Sequence, residues 1–102
     1  MKVINSKSND EKKITGAQLR AARGLIRWSA KDLAVAAGVG VATVSRAEVE
    51  DGVPSITNAN LNAVRIALEA AGIEFIPANG GGVGVRFKES VAQSTIKGDV
   101  DQ

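Results

Sequence analysis

The chain contains no cysteine and no histidine. Without cysteine there is no disulfide framework and no thiolate chemistry, and a reducing compartment fits. With histidine missing as well, the usual bases, nucleophiles and zinc ligands of enzymes are absent. No catalytic activity, no metal and no cofactor are expected. Aromatic residues are scarce (Trp28, Phe75 and Phe87), although 44% of residues are apolar. A core must therefore be filled by Leu, Ile, Val and Ala, which favours close-packed helices over a large sheet. No stretch approaches the roughly 20 apolar residues of a membrane span. The polar segment Met1 to Lys13 lacks the apolar region of a secretory signal. A cytoplasmic protein with no membrane partner is the expectation.

What is present amounts to one small domain: 102 residues with a net charge of only +2. The distribution of charge is more informative than its sum. Residues 12 to 46 hold seven basic side chains (Lys12, Lys13, Arg20, Arg23, Arg27, Lys31, Arg46) against Asp32 alone. Residues 47 to 77 hold five acidic ones (Glu48, Glu50, Asp51, Glu69, Glu74) against Arg65 alone. The first half can present a basic field to an anionic partner. Charge by itself favours the plainer reading, a solvated helical surface.

Four helix starts share one plan. Thr15 is followed by Gln18, and Ser29 by Asp32, so that a hydroxyl caps the helix and the residue three places on returns the bond. Ile14 can staple onto Leu19, and Trp28 onto Leu33. Ile56-Thr57 repeats the plan with Asn60 and Leu61, and Val39-Gly40 does so more weakly with Val44. Each cap contributes about 1 kcal/mol. Leu19, Ala22 and Ile26 then fall on one helical stripe, as do Leu61, Val64, Leu68 and Ala71 before a stop at Gly72. Two short helices, near Ala30–Ala37 and Val41–Glu50, lie between.

After Gly72 the period changes to two. Ile73 to Ile76 reads as a strand ended by Pro77, Asn79 to Gly82 as a turn, and Val83 to Lys88 as a second strand. The glycines at Gly80–Gly82 and Gly84 lack the Gly-Lys-Ser/Thr ending of a phosphate loop and open no helix; they are turn glycines. A lone hairpin is barely stable in water, so it must dock on the helices or pair with another chain.

Two short helices joined by a three-residue turn place a left-handed glycine at Gly38, a small contact residue at Ala34, and Leu33, Val39 and Val44 inside. At these residues the chain resembles the Xre/Cro family of bacterial and phage repressors. The resemblance runs from about Ile14 to Lys88. It is carried by Leu19 to Ser29, Leu33 to Val39, and Ala42-Thr43-Val44-Ser45-Arg46 with Glu48, Gly52 and Pro54. The later run Leu68 to Ile76, with Gly80–Gly82 and Val85-Arg86-Phe87, contributes as well.

The resemblance implies a mainly α, lambda-repressor-like helix-turn-helix bundle of four or five helices with a short C-terminal hairpin. It divides the chain into a flexible arm (1–13), a DNA-binding domain (14–72), strands used in dimerisation (73–88) and a disordered tail (89–102). It implies a transcriptional regulator, a repressor that occupies its operator on double-stranded DNA as a homodimer. Base readers then fall on Val41, Ala42, Ser45 and Arg46, with Thr43 reaching a phosphate or base edge. Backbone N–H groups of Ser29 and Ala30 would hold a phosphate, and Lys31 and Arg27 would contact phosphates. Arg23 and Glu48 match the family's internal ion pair.

Some positions depart from the family pattern. Val41 and Ala42 stand where long amides are common, Ala30 where Gln or Arg is frequent, and Ala47 where a larger aliphatic is usual. Glu50 and Asp51 put negative charge at the end of the recognition helix. These departures open a second expectation: a protein partner bound through the apolar face of Val41–Val49 or the strands, as in an antiactivator or antitoxin.

Overall fold

Thr15, Ser29 and Thr57 act where the sequence places them. Each hydroxyl accepts the backbone N–H three residues on, at the start of α1 (Gly16–Ile26), α2 (Ala30–Ala37) and α4 (Asn58–Ala70). Gln18 and Asp32 close full capping boxes on Thr15 and Ser29. At Thr57 only the forward bond forms, from the Asn60 N–H at 3.1 Å. The third helix, α3 (Val41–Val49), starts at Gly40 with no side-chain cap. It ends one residue before the expected Glu50, whose backbone is extended.

The computed structural model describes residues 13–89. The expected arm and tail, apart from Lys13 and Glu89, lie outside the described residues. Among the described residues, four helices precede an antiparallel pair, β1 (Ile73–Ile76) and β2 (Gly84–Phe87). The fold is a small helical bundle with a C-terminal hairpin. No described helix is long and apolar enough to cross a membrane.

Glycine matters at two of the helix exits. Gly38 closes α2 in the left-handed region (φ 72°), and the N–H of Val39 returns to Ala34 O at 3.0 Å, which reverses the chain into α3 within three residues. Gly72 likewise has a positive φ after α4. The exit of α1 breaks this habit. Arg27 takes the left-handed position (φ 61°), with Trp28 N–H donating to Arg23 O, a conformation that costs a non-glycine residue about 1 kcal/mol.

The core is aliphatic, as the composition requires. Leu19, Leu33, Val44, Val64, Leu68 and Ile73 are fully buried, each contributing about 1.5–3 kcal/mol. Trp28 is half-buried against this core rather than free to stack on a base. Helix α2 packs on both α3 and α4, and α1 on α3 and β2.

The hairpin docks on its own chain's helices. Its register pairs Ile73 with Phe87 and Phe75 with Val85, which puts these four on one face. Ile73 is buried, and Phe75 and Val85 pack against the core. On the other face Glu74 pairs with Arg86 at 3.1 Å. The hydrogen bond from Arg86, then its charge, holds the Glu74 carboxyl below its ordinary range. The pair's support is therefore present above the ordinary carboxylate pKa and fades as pH falls through the lowered one.

Gln18 ties the hairpin down. Its Oε1 accepts Thr15 N–H at 2.9 Å, while its Nε2 donates to Gly84 O at 2.9 Å and Ile76 O at 3.3 Å. One buried amide thus closes a helix cap and clamps both strands. Gln18→Leu keeps the bulk but strands these partners, and is expected to cost about 2 kcal/mol. Hydrogen exchange should speed up in β1 and β2 more than in α2 and α4. Uniform protection in the variant would show that the clamp is dispensable.

Candidate nucleic-acid interface

The outer wall of α3 follows from its period. At about 100° per residue, Val44, Ala47 and Glu48 point inward and are buried, while Val41, Ala42, Ser45, Arg46 and Val49 form one exposed arc. Thr43 sits half-buried at the boundary. The N–H groups of Thr43 and Val44 are both taken by Gly40 O. Those of Val41 and Ala42 have no partner among the described residues, so the helix presents free donors and a positive dipole end beside the arc.

Helix α1 fixes the far end of α3 at three points. Gly16 lies so close to α3 and its exit that a methyl group there would overlap the carbonyl oxygens of Ala47 and Glu50. The N–H of Gly16 donates to Gly52 O at 2.9 Å, so a donor at the start of α1 is satisfied by the chain leaving α3. One turn on, Arg20 donates to Glu48 O and forms an ion pair with Asp51 at 2.6 Å. Because α3 has no left-handed terminator, Arg20 takes over that role by holding a last-turn carbonyl.

Arg23 is the third point. Its Nε and Nη2 donate to the two carboxylate oxygens of Glu48 at 2.6 and 2.7 Å, and Nη1 donates to Trp28 O at 2.7 Å. The hydrogen bond to Glu48 raises the guanidinium pKa above its ordinary value, with burial opposing and Coulomb attraction assisting. The fork ties α1, α3 and the α1–α2 link together. No buried side-chain polar atom among the described residues lacks a partner.

No family model matches this sequence, and no curated protein does. Any functional reading therefore rests on the surface itself.

The electrostatics of that surface differ from the linear count. Of the basic residues expected to form a field, Arg20 and Arg23 are consumed in holding α3. Arg27, Lys31 and Arg46 are exposed and form no ion pair among the described residues. The acidic residues expected to spoil the helix end are occupied too. Asp51 faces Arg20, and the Glu50 carboxylate accepts the Ser55 N–H at 3.0 Å. Three cations on or beside α2 and α3 thus form no ion pair among the described residues, and Asp32 stands exposed next to Lys31.

One expected phosphate ligand needs correction. The Ser29 N–H already donates to the Asp32 carboxylate at 2.9 Å, because the capping box uses it. It cannot also hold a phosphate, and Asp32 places a negative charge beside it. At the start of α2 only the N–H groups of Ala30 and Lys31, with the Lys31 ammonium, remain for an anion. Gly16, Arg20 and Gln18 are positioning residues that the sequence does not announce as such. The available signals are a glycine directly after an N-cap, where it adds nothing to the helix, and an arginine one turn before Arg23.

Proposed function

We propose that the chain is a sequence-specific, double-stranded-DNA-binding transcriptional regulator. It acts by occupying its operator, as a repressor, without catalysis. The observation that carries this reading is the presentation of α3. The helix is anchored by Gly16, Arg20 and Arg23 at its C-terminal end, and its outer arc is open. Arg46 stands on that arc, Lys31 lies on α2 and Arg27 just before it, all three exposed and without an ion pair among the described residues. A single helix of this width fits the major groove.

In this reading Arg46 grips a guanine at O6 and N7, and Val41, Ala42, Thr43 and Ser45 face the neighbouring bases. Lys31, Arg27 and the Ala30 N–H contact phosphates. One such helix offers little area, so two copies would read half-sites about 34 Å apart. Ile66, exposed on the outer side of α4, and the hairpin are the surfaces offered for that homodimer.

The test is fluorescence anisotropy on an operator selected from random duplexes with the full chain. Arg46→Ala should weaken binding by about 1–3 kcal/mol and relax the choice of base at one position in each half-site. Lys31→Ala should weaken all sequences alike and flatten the slope of log K against log salt by roughly one for each phosphate it no longer neutralises. Preserved circular dichroism with unchanged binding in both variants would refute the assignment.

A second reading has one observation in its favour. Val49 and Val35 are 80% and 73% exposed, which suits an apolar protein partner for an antiactivator or antitoxin. An antitoxin would combine both activities, whereas a purely protein-binding antiactivator would show no operator-specific shift while retaining its partner in pull-down.

A further inference from the structure

The exposed arc of α3 is short of hydrogen-bonding groups. Of Val41, Ala42, Ser45, Arg46 and Val49, only Ser45 and Arg46 can donate or accept from a side chain. Ser45, and Thr43 at the boundary of the arc, pair with either edge type and discriminate little, so Arg46 is left as the side chain of α3 able to select a base by its polar pattern. The only other base-specific feature in the major groove is the C5-methyl of a pyrimidine, which needs an apolar partner. Ala42 and Val41 are exposed and stand four and five residues before Arg46, about 6 and 7.5 Å along the axis and hence about two base steps from it. The arc thus combines one cation, Arg46, with apolar Val41 and Ala42, which suits a groove floor that bears both guanine acceptors and methyl groups.

Resting on the DNA-binding reading, we infer that this chain selects its site chiefly through pyrimidine C5-methyl groups, read by Val41 and Ala42 beside a guanine held by Arg46. One consequence separates this from ordinary thymine recognition. An apolar side chain senses the methyl but neither the O4 of thymine nor the N4 of cytosine. A 5-methylcytosine at the same position is therefore a ligand where unmodified cytosine is not.

The experiment uses the full chain and its best duplex from random selection. Each thymine is replaced singly by uracil, which keeps the pairing and removes only the methyl. The same positions are then rebuilt as cytosine–guanine and 5-methylcytosine–guanine pairs. Uracil should weaken binding about fourfold at one or two positions per half-site, the value of one buried methyl. The 5-methylcytosine pair should bind about fourfold tighter than the cytosine pair at those positions. Ala42→Gly or Val41→Ser, which remove the apolar contact group, should erase the difference at the position each one reads. Specific binding that ignores both uracil and 5-methylcytosine would overturn methyl reading and leave the DNA-binding reading standing. Failure to bind any duplex at low salt would overturn both.

Discussion

Gly16→Ala is expected to destabilise the fold by about 3 kcal/mol or more, beyond ordinary overpacking, and urea denaturation will register the loss directly. Alanine normally favours a helix over glycine by about 1 kcal/mol, so the expected sign is the reverse of the local preference. The cause is backbone against backbone. The new methyl would occupy the space of the Ala47 and Glu50 carbonyl oxygens, and neither can move without disturbing the exit of α3. Separating the helices would also lengthen the Gly16 N–H bond to Gly52 O. Overpacking of this kind costs more than side-chain crowding because no rotamer can relieve it. Gly24 serves as the internal control. It lies in the same helix, exposed and with no atom near its absent side chain, and Gly24→Ala should stabilise by about 0.5–1 kcal/mol. If the two variants behave alike, the close approach of α1 to α3 is wrong.

Glu48→Ala is expected to cost about 3 kcal/mol. The variant leaves Arg23 enclosed beside α3 with its forked partner gone, and a guanidinium cannot shed its charge at any accessible pH. The side chains of Arg23 and Glu48 are 24% and 9% exposed, so some water reaches the arginine and the loss falls at the lower end for a broken buried pair. Removing both charges is a different matter. Arg23→Met with Glu48→Leu should cost far less than the sum of the single changes, since neither partner is left stranded. Strict additivity in that cycle would mean that the fork contributes no coupling. The Trp28 carbonyl also receives Arg23, so the emission of this sole tryptophan should change in Glu48→Ala even where the fold persists.

The two experiments probe one property, the rigidity with which α3 is held out. On the proposed function both variants should lose DNA affinity without touching a base. Arg46→Ala should lose it with the melting curve intact. That contrast separates residues that position the helix from residues that read with it.

Local chemistry was legible from the chain alone. The starts of α1, α2 and α4, the left-handed Gly38, the stop at Gly72, the two strands and the Arg23–Glu48 partnership all follow from residues a few places apart or from the family resemblance. Capping, turn conformation and apolar period are decided within one or two turns of backbone, so the sequence by itself determined where each element begins and which face turns inward. Only the tertiary structure decided which distant carbonyls would meet Gln18 and Arg20, why Gly16 must lack a side chain, and which charges would remain unpaired. Those outcomes depend on where backbone oxygens arrive after helices cross. A hydrogen bond between residues 66 positions apart, such as Gln18 to Gly84, leaves no periodic trace in the sequence. Ser29 is the opposite case. The partner of its N–H, Asp32, stands only three residues away, and the same capping box that starts α2 takes that N–H away from any phosphate.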